Sequence, residues 1–329
     1  MANASPPDDG GPAGGADPRT AGTSHAGVVA VGVPTGGAAS DVVGLGRARA
    51  VAFVAPALLL IGVFLLFPAL WTLYIGATDY ERTGPKHVSP SFVGVDNYTD
   101  VLADPSFYNS LGLTLLFVGF SAVVGQNGLG FALAWSLRNV TGWVRRTVET
   151  LVLFAWILPG SVVAFLWIAM LDRDGGTVNA MLGTPGLAWL VDYPMASLVV
   201  FNIWRGTAFS MMLYGAALSS VPPSQLETAR LAGASGPQTL RDIVFPHIRG
   251  HALTNTLLIT LWTFNDFSPF LLTAGGPGDD SEIVSVYVYN TAIRDGRLGY
   301  SGAISLLVLV ANIALALLYL RMLRKRRIP

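Results

Sequence analysis

Long apolar segments alternate with short polar segments over most of the chain. The six apolar segments lie at about 50–77, 110–136, 147–171, 195–219, 251–273 and 300–321. Each is close to the ~20 residues that an α-helix needs to cross the hydrocarbon core of a bilayer. Pro56, Pro68 and Pro159 lie inside these segments, and membrane bundles tolerate such prolines because neighbouring groups bond the freed carbonyls. The pattern predicts an all-α polytopic membrane protein with six transmembrane helices.

Basic residues are distributed unevenly between the predicted loops. Of the 20 lysines and arginines, 14 lie in the N-terminal segment, the second and fourth loops and the C-terminal segment. Five lie in the other loops, and Arg205 lies within the fourth span. Cytoplasmic loops are enriched in Lys and Arg, so the first group of loops is predicted to be cytoplasmic. Both termini are therefore predicted to be cytoplasmic, and the protein is predicted to lie in the plasma (inner) membrane.

Residues 1–46 differ in composition from the rest of the chain. They are rich in Gly, Ala, Pro, Ser and Asp and contain no large apolar cluster. Such a composition is typical of disorder, and the segment is too long and too polar to be a plain secretory signal. We therefore predict a disordered cytoplasmic tail over 1–46 and a transmembrane domain over 47–329.

The overall composition agrees with a membrane protein and excludes several classes of function. Hydrophobic residues make up 52% of the chain and charged residues 12%, about half of the ~25% that soluble domains usually carry. The 20 basic and 20 acidic residues balance, so no overall basic field points to nucleic acid. The absence of cysteine excludes disulfides, thiolate catalysis and cysteine-type zinc sites. Lys86 and Lys325 are the only lysines, and neither belongs to a phosphate-binding P-loop motif.

The fourth loop, at about 220–250, is too polar to span a membrane but is patterned for helices. Pro222 and Pro223 suit a first helical turn, and Ser224 and Glu227 have the spacing of a capping box, which predicts the start of a short helix. Gly233 is a natural C-terminal stop for that helix. The alternative is that this loop has only a structural role and covers the end of the helix bundle.

A second short helix is predicted after the glycine. Ser235 and Gln238 form another capping pair, and Leu240, Ile243 and Ile248 follow at helical spacing. Pro246 lies inside this apolar run and is predicted to bend or end the helix. The loop is therefore predicted to be two short cytoplasmic helices joined at a glycine.

The stretch ETARLAGASGPQTLRDIVFP, from Glu227 to Pro246, resembles the EAA loop of the permease subunits of ATP-binding-cassette importers. Thr228 occupies the place of the usual second alanine. Three further strings resemble the carbohydrate-type branch of these permeases, namely FVGVDNY, LTAGGP and GYSGAIS. The likeness covers about residues 50–325, which is almost everything except the tail.

This resemblance implies a function and a set of partners. It implies that the loop docks in a groove of an ATPase subunit and transmits nucleotide-driven closure to the bundle. It further implies two ATPase subunits, a second permease subunit and an extracytoplasmic solute-binding protein, with ATP and Mg bound by the partners and no cofactor or catalytic residue in this chain. The coupling residues that it implies are Glu227, Thr228, Ala229, Gly233, Ala234, Gln238 and Pro246. Glu227 has an alternative role in its own capping box alone.

Ionisable residues within membrane spans are costly, so Arg205 and Asp266 are functional candidates. They are predicted to lie at similar depths in the fourth and fifth spans and could pair. Residues at helical spacing from Arg205 and from Asp266 share a helix face with each of them. Both faces contain aromatic and hydrogen-bonding side chains, which suits the binding of a sugar. The predicted substrate path consists of Asn202, Arg205, Gly206, Phe209, Ile259, Trp262, Thr263 and Asp266. The alternative is a purely structural ion pair.

The remaining signals are weaker. His247 and His251 have helical i, i+4 spacing but no third ligand, so no metal site is predicted. Gln126, Asn127 and Asn312 are expected to form interhelical hydrogen bonds rather than to bind solute. The sequence therefore predicts a sugar or polyol permease subunit that is not itself an enzyme. The competing class is a secondary transporter driven by an ion gradient, which would need more intramembrane carboxylates and usually an internal repeat.

Overall fold

The computed structural model describes residues 47–140 and 142–324. The predicted tail over 1–46 and the basic end from Lys325 lie outside the described residues. Within the described ranges the regular elements are all helices, with one isolated bridge between Thr78 and Phe92. The prediction of an all-α protein is confirmed.

The chain divides into two units between Leu58 and Leu59, and the described part of the first unit is residues 47–58. Helix α1 (Arg47–Ile61) begins in the first unit. The α-helices that follow are α2 (Phe67–Gly76), α3 (Pro85–Val88), α4 (Asp96–Ala103), α5 (Pro105–Phe117), α6 (Asn127–Leu137), α7 (Trp143–Ile157), α8 (Gly160–Met170), α9 (Thr177–Leu182), α10 (Trp189–Asp192), α11 (Pro194–Ser219), α12 (Pro223–Leu231), α13 (Gly236–Thr239), α14 (Phe245–Phe264), α15 (Ser268–Thr273), α16 (Val284–Tyr289) and α17 (Leu298–Arg324). The π-helical segments are Gly62–Leu66, Val118–Gln126, Leu240–Val244 and Asn290–Arg294.

Four helices in the described part of the chain are long and apolar enough to cross a membrane. They are Val51–Gly76, Pro105–Leu137, Pro194–Ser219 and Leu298–Arg324. These helices coincide with the first, second, fourth and sixth predicted spans. The third predicted span consists of α7 and α8, which together are long and apolar enough but meet at an angle of 103°.

The fifth predicted span, at about 251–273, is not one continuous helix. Helix α14 ends at Phe264, and α15 begins at Ser268. Pro269 lies in the first turn of α15. In a continuous helix its ring would clash with the carbonyl of Asn265, four residues earlier. The proline therefore divides this segment into two helices.

The other prolines within helical segments have two different outcomes. Pro246 and Pro68 each follow a π-helical segment, and the helix continues through them. A π-helical turn re-routes the local hydrogen bonds, so the loss of one N–H is accommodated. The prediction that the second loop helix is short is therefore wrong, because it runs on from Gly236 to Phe264. Pro159 instead ends α7, since Leu158 before it is extended (φ −60°, ψ 140°), as a residue before proline prefers.

The core combines apolar clusters with interhelical hydrogen bonds. Asn127 Oδ1 accepts hydrogen bonds from Tyr214 Oη at 2.8 Å and from Asn255 Nδ2 at 2.9 Å. These bonds join α6 to α11 and α14. Asn312 Nδ2 donates to Asn265 Oδ1 at 3.1 Å, which joins α17 to the end of α14. The expected interhelical bonding of these asparagines is confirmed.

Candidate solute site and coupling loop

One cavity lies where α7, α11 and α14 meet the π-helical segment Val118–Gln126. All of the predicted substrate-path residues line it, together with Gln126 and Trp156. Its volume is about 40 Å³, which is room for about one water molecule. Helical periodicity therefore predicted which residues share this cavity, and in this conformation the cavity is too small for a sugar ring.

Arg205 and Asp266 form an ion pair at the edge of this cavity. Arg205 Nη1 lies 3.5 Å from Asp266 Oδ2 and donates a hydrogen bond to Ser268 Oγ at 2.8 Å. The Ser268 hydroxyl in turn donates to Asp266 Oδ1 at 2.8 Å. The arginine side chain is 25% exposed and the aspartate 13%. The predicted pairing and the predicted cavity lining are thus both present, and the two charges cancel.

The break between α7 and α8 makes room for this arginine. A Cβ at Gly160 would lie 3.0 Å from Arg205 Nη2 and 3.6 Å from Ser268 Oγ. Helix α8 also packs against α15, so both broken segments meet beside Arg205. Irregular backbone at membrane depth is tolerated only where it is buried in protein or lines a cavity. The two helix breaks therefore belong to the construction of the site.

The polar wall of the cavity is held by hydrogen bonds between three segments. Asn202 Nδ2 donates to Ser121 Oγ at 2.7 Å and lies 3.4 Å from Thr263 Oγ1. Gln126 Nε2 donates to the Asn202 carbonyl at 2.9 Å. The Gln126 amide lies directly over Gly206, where a Cβ would overlap it. A side chain at position 206 would therefore displace the Gln126 amide from this place.

Three aromatic rings form the other wall. Trp156 stacks on Phe209 with ring centroids 5.9 Å apart and an interplanar angle of 30°. Trp262 meets Trp156 edge-on at 5.9 Å and Phe209 at 5.6 Å. Aromatic faces beside hydrogen-bonding groups can bind the C–H faces and the hydroxyls of a sugar.

Sequence reasoning missed three residues of this site, namely Gln126, Trp156 and Ser268. Gln126 was expected to make an interhelical hydrogen bond, which it does, and it also lines the cavity. Trp156 lies three residues before Pro159, and Ser268 directly precedes Pro269. The two prolines were the available signal, because a chain break inside a membrane segment marks a place where side chains converge.

The cytoplasmic loop that was predicted has one short helix, α12, followed by a turn. Gly233 has a φ of +74°, which costs little for glycine alone. The Ala234 N–H donates to the Ala229 carbonyl at 2.9 Å and the Gly233 N–H to the Arg230 carbonyl at 3.0 Å. This is the Schellman pattern of helix termination. The predicted stop at Gly233 is confirmed, and the reason is its backbone angle, since nothing lies within 4 Å of a Cβ there.

Only one of the two predicted capping pairs is present. Gln238 Oε1 accepts from the Ser235 N–H at 2.8 Å and from the Ser235 hydroxyl at 2.9 Å. Ser224 lies inside α12, whose N-cap is Pro222, so its predicted capping pair with Glu227 is wrong. The two prolines move the helix start by two residues, and Glu227 is left exposed on the helix surface.

The two helices of the loop enclose an open groove with a volume of about 610 Å³. Thr228, Ala229 and Pro246 line it, and Leu231 at the end of α12 is 90% exposed. His247 Nε2 lies 3.0 Å from the Ser220 carbonyl, so this histidine ring has a partner within the chain. In the described ranges, no three or more acidic or histidine side chains come close enough together to hold a metal ion.

Residues 126–328 match the family described as the binding-protein-dependent transport system inner membrane component. The chain belongs to this family. It is therefore an inner-membrane permease subunit of a transport system of the ATP-binding-cassette class. The match includes the cavity residues and the whole coupling loop. Family membership supports this assignment over the alternative of a secondary transporter.

Relatives and solved structures agree with the family. The permease is 30% identical over 280 residues to a probable ABC transporter permease protein of Pyrococcus horikoshii, covering 82% of this chain and 93% of the relative. It is 30% identical over 282 residues to the sn-glycerol-3-phosphate transport system permease protein UgpA of Agrobacterium fabrum, covering 83% and 94%. A crystal structure of a bacterial ABC transporter involved in the import of the acidic polysaccharide alginate has the same fold, with a TM-score of 0.67 at 21% identity, covering 83% of this chain and 94% of that chain.

Proposed function

We propose that this permease subunit carries a neutral sugar or a related polyol across the inner membrane by alternating access. The cavity between α7, α11 and α14 is the part of the path that this chain supplies. The observation that carries the proposal is the convergence of the Arg205–Asp266 pair, the Asn202–Thr263 wall and three aromatic rings on one cavity. Such a mixture of flat rings and hydrogen-bonding groups fits a polyhydroxylated ring.

The charge of the site favours a neutral solute. Arg205 already has Asp266 at 3.5 Å and Ser268 at 2.8 Å. An anionic group that approached Arg205 would meet the carboxylate of Asp266 as well, and like charges repel. A hydroxyl group can instead accept from the guanidinium or donate to the carboxylate without any change in net charge.

We assign six membrane-spanning segments and cytoplasmic termini to the transmembrane domain 47–329, with residues 1–46 as a cytoplasmic tail. Four single helices and the bent pair α7–α8 support five of these spans. The sixth is α14 with α15, whose polar residues face the cavity and the neighbouring helices. The bias of 14 basic residues against five supports the orientation.

The coupling loop receives the conformational change from an ATPase subunit. Glu227, Thr228, Gly233, Gln238 and Pro246 are exposed on this loop, with Ala229 buried and Ala234 half-buried beneath them. The helix pair is rigid because α12 ends in a Schellman turn and the next helix runs on without a break into α14. A displacement of the loop therefore moves α14, which carries Ile259, Trp262 and Thr263 to the cavity. ATP and Mg belong to the partners, and this chain performs no covalent chemistry.

The partners are two ATPase subunits, a second permease subunit and an extracytoplasmic solute-binding protein. One of the solved relatives is an alginate transporter in complex with a pentasaccharide-bound periplasmic protein. The second permease subunit would complete the path, because Trp262 is 54% exposed in this chain although it lines the cavity.

The proposal is tested by reconstitution of the complete complex in liposomes. Uptake of a panel of radiolabelled neutral mono- and oligosaccharides and polyols is measured with and without ATP on the cytoplasmic side. We expect ATP-dependent uptake of at least one neutral member that requires all of the subunits. Uptake that persists without the ATPase subunits and follows an ion gradient would contradict the proposal.

An anionic polyol is the second candidate. Arg205 brings a cationic group to the cavity, and one relative is named for sn-glycerol-3-phosphate transport and another for sulfoquinovosyl glycerol. The same vesicles distinguish the two candidates by competition. A phosphorylated or sulfonated polyol that outcompetes every neutral compound would favour the second candidate over the first.

A further inference from the structure

A second cavity lies directly below the solute cavity and has a volume of about 360 Å³. Residues of α7 and α11, one turn further along each helix, line it together with Ala134 and Leu137 of α6. The residues that matter here are Arg145, Glu149 and Leu153 on α7 and Met212, Ala216 and Ser219 on α11. This cavity has no part in the site described above.

The two cavities lie on one continuous pair of helix faces. On α7, positions 145, 149, 153 and 156 are spaced by three or four residues, and so are positions 209, 212, 216 and 219 on α11. Residues with this spacing share one face of a helix. The helices are antiparallel, so each step toward Arg145 on α7 matches a step toward Ser219 on α11. Both faces therefore lead from the solute cavity toward the loop that carries the coupling helix.

A pair of stacked rings lies between the two sets of lining residues along α7 and α11. Trp156 and Phe209 line the upper cavity and stack at 5.9 Å. The lower cavity begins at Leu153 on α7, about 4.5 Å further along that helix, and at Met211 on α11, about 3 Å further along, at the helical rise. Trp262 packs edge-on against both rings.

The lower cavity is open and polar at its far end. Arg145 Nε lies 2.7 Å from Glu149 Oε1, and these side chains are 49% and 36% exposed. Met212, Ala216 and Ser219 are also exposed along α11. The cavity therefore has a polar, exposed end at Arg145 and Glu149 and an apolar end at Leu153 and Met212. We call it the α7–α11 vestibule.

We propose that the α7–α11 vestibule is the exit path of the solute and that the stacked rings of Trp156 and Phe209 are its gate. This inference rests on the proposed function, since it assigns the cytoplasmic half of the same path. In the conformation described here the gate is closed and the cavity above it is contracted. Separation of α7 from α11 breaks the ring stack and joins the two cavities.

Cysteine labelling tests the vestibule, because the chain contains no native cysteine. Leu153→Cys places a thiol in the vestibule, and Leu151→Cys places one on the same helix at a position that is 64% exposed but outside it. Each variant is reconstituted with its partners and treated from the cytoplasmic side with a charged, membrane-impermeant maleimide. Thiols react as thiolates, which form in water and not in lipid. We expect the cysteine at 153 to react about tenfold faster than the one at 151.

The gate is tested with a thiol above it. Thr263→Cys lies in the upper cavity and should react slowly from the cytoplasmic side while the rings are stacked. Adding Trp156→Ala removes two ring contacts, so we expect the rate at position 263 to rise about tenfold. Trp156→Phe keeps a ring at the same position and should leave the rate near its original value. Membrane levels and assembly of each variant are compared by immunoblot and co-purification.

The labelling rates test the path and its gate, and the uptake measurements test the proposed transport function. A faster rate at 153 than at 151, with a ring-dependent rate at 263, supports the path. Equal rates at 151 and 153, or an unchanged rate at 263 after Trp156→Ala, overturns it even if ATP-dependent sugar uptake is intact. Loss of all ATP-dependent uptake in the unmodified complex, with the labelling pattern present, would refute the proposed function instead.

Discussion

Replacing Asp266 with asparagine would remove the negative charge that balances Arg205 in the cavity. The two charged groups are 3.5 Å apart, and their attraction is about 4 kcal/mol at the effective dielectric constant typical of partly exposed pairs. Desolvation of both groups offsets much of this attraction, and Arg205 is 25% exposed. We therefore expect a net coupling of about 1–2 kcal/mol, which corresponds to a factor of about 5–30.

The assay is uptake by the reconstituted complex with the best neutral solute from the panel. Asp266→Asn and Arg205→Gln should each raise the apparent KM by about 5- to 30-fold. Each single change leaves one uncompensated charge beside the solute. The double variant restores neutrality and should recover part of the loss, which a double-mutant cycle measures directly. Asp280→Asn, in an exposed external turn, is the matched control and should leave the KM unchanged.

Unchanged transport kinetics in the two single variants would refute this reasoning. If both single variants keep the apparent KM of the unmodified complex at equal membrane levels, neither residue belongs to the solute path. If the KM is unchanged but the Tm of the purified complex falls in both, the pair is structural only. If the Asp266→Asn variant has a lower KM for a phosphorylated polyol than the unmodified complex, an anionic solute is favoured.

Three other changes have defined expected outcomes. Gly233→Asp places a side chain on a residue with a left-handed backbone, so ATP-dependent uptake should be lost while the amount of protein in the membrane stays normal. Gly236 does not have a left-handed backbone, so Gly236→Asp should retain uptake. Gly206→Ala overlaps the glutamine amide above it and should lower stability by about 1–3 kcal/mol, seen as a lower Tm of the complex, while Gly119→Ala, with open space around it, should not. Burial is the main cause that raises the pKa of the Glu282 carboxyl. Its contribution to the stability of the complex is therefore full below its ordinary pKa of about 4.3 and is lost as the pH rises through the raised pKa. Glu282→Gln should flatten the decline of Tm over that pH range, and an unchanged pH profile of Tm would contradict this.

Local periodicity was sufficient to collect most of the solute site. The faces that carry Arg205 and Phe209 on α11 and Trp262 on α14 follow from the 3.6-residue repeat, which depends only on helix geometry. Two helices at one depth with polar faces have few ways to pack other than against each other. The structure places all of these residues around one cavity for this reason.

The parts that sequence reasoning missed depend on chain breaks and on packing between distant segments. Trp156 reaches the cavity because α7 ends one residue later, at Ile157, before the bend at Pro159. A proline inside an apolar run can bend, end or merely adjust a helix, and Pro246 and Pro159 have opposite outcomes here. Neighbouring segments decide between these outcomes, and their positions are not encoded in local spacing.

The coupling loop illustrates the same limit on a smaller scale. The stop at Gly233 could be predicted because a positive φ is a property of one residue type. The start of α12 was misplaced because two signals competed, the proline pair and the serine of a capping motif. Proline fixes its own φ and leaves no N–H to be capped, so the helix starts at Pro223.

The central claim is that the loop around α12 faces the cytoplasm, where an ATPase subunit can reach it. A single cysteine at the exposed Gln225, in a chain with no other cysteine, measures this directly. An impermeant maleimide should label it in inside-out vesicles and not in right-side-out vesicles, and Ser89→Cys in the first external loop should give the reverse pattern. Labelling of position 225 only from the external face would contradict the account, because no cytoplasmic ATPase could then act on this permease.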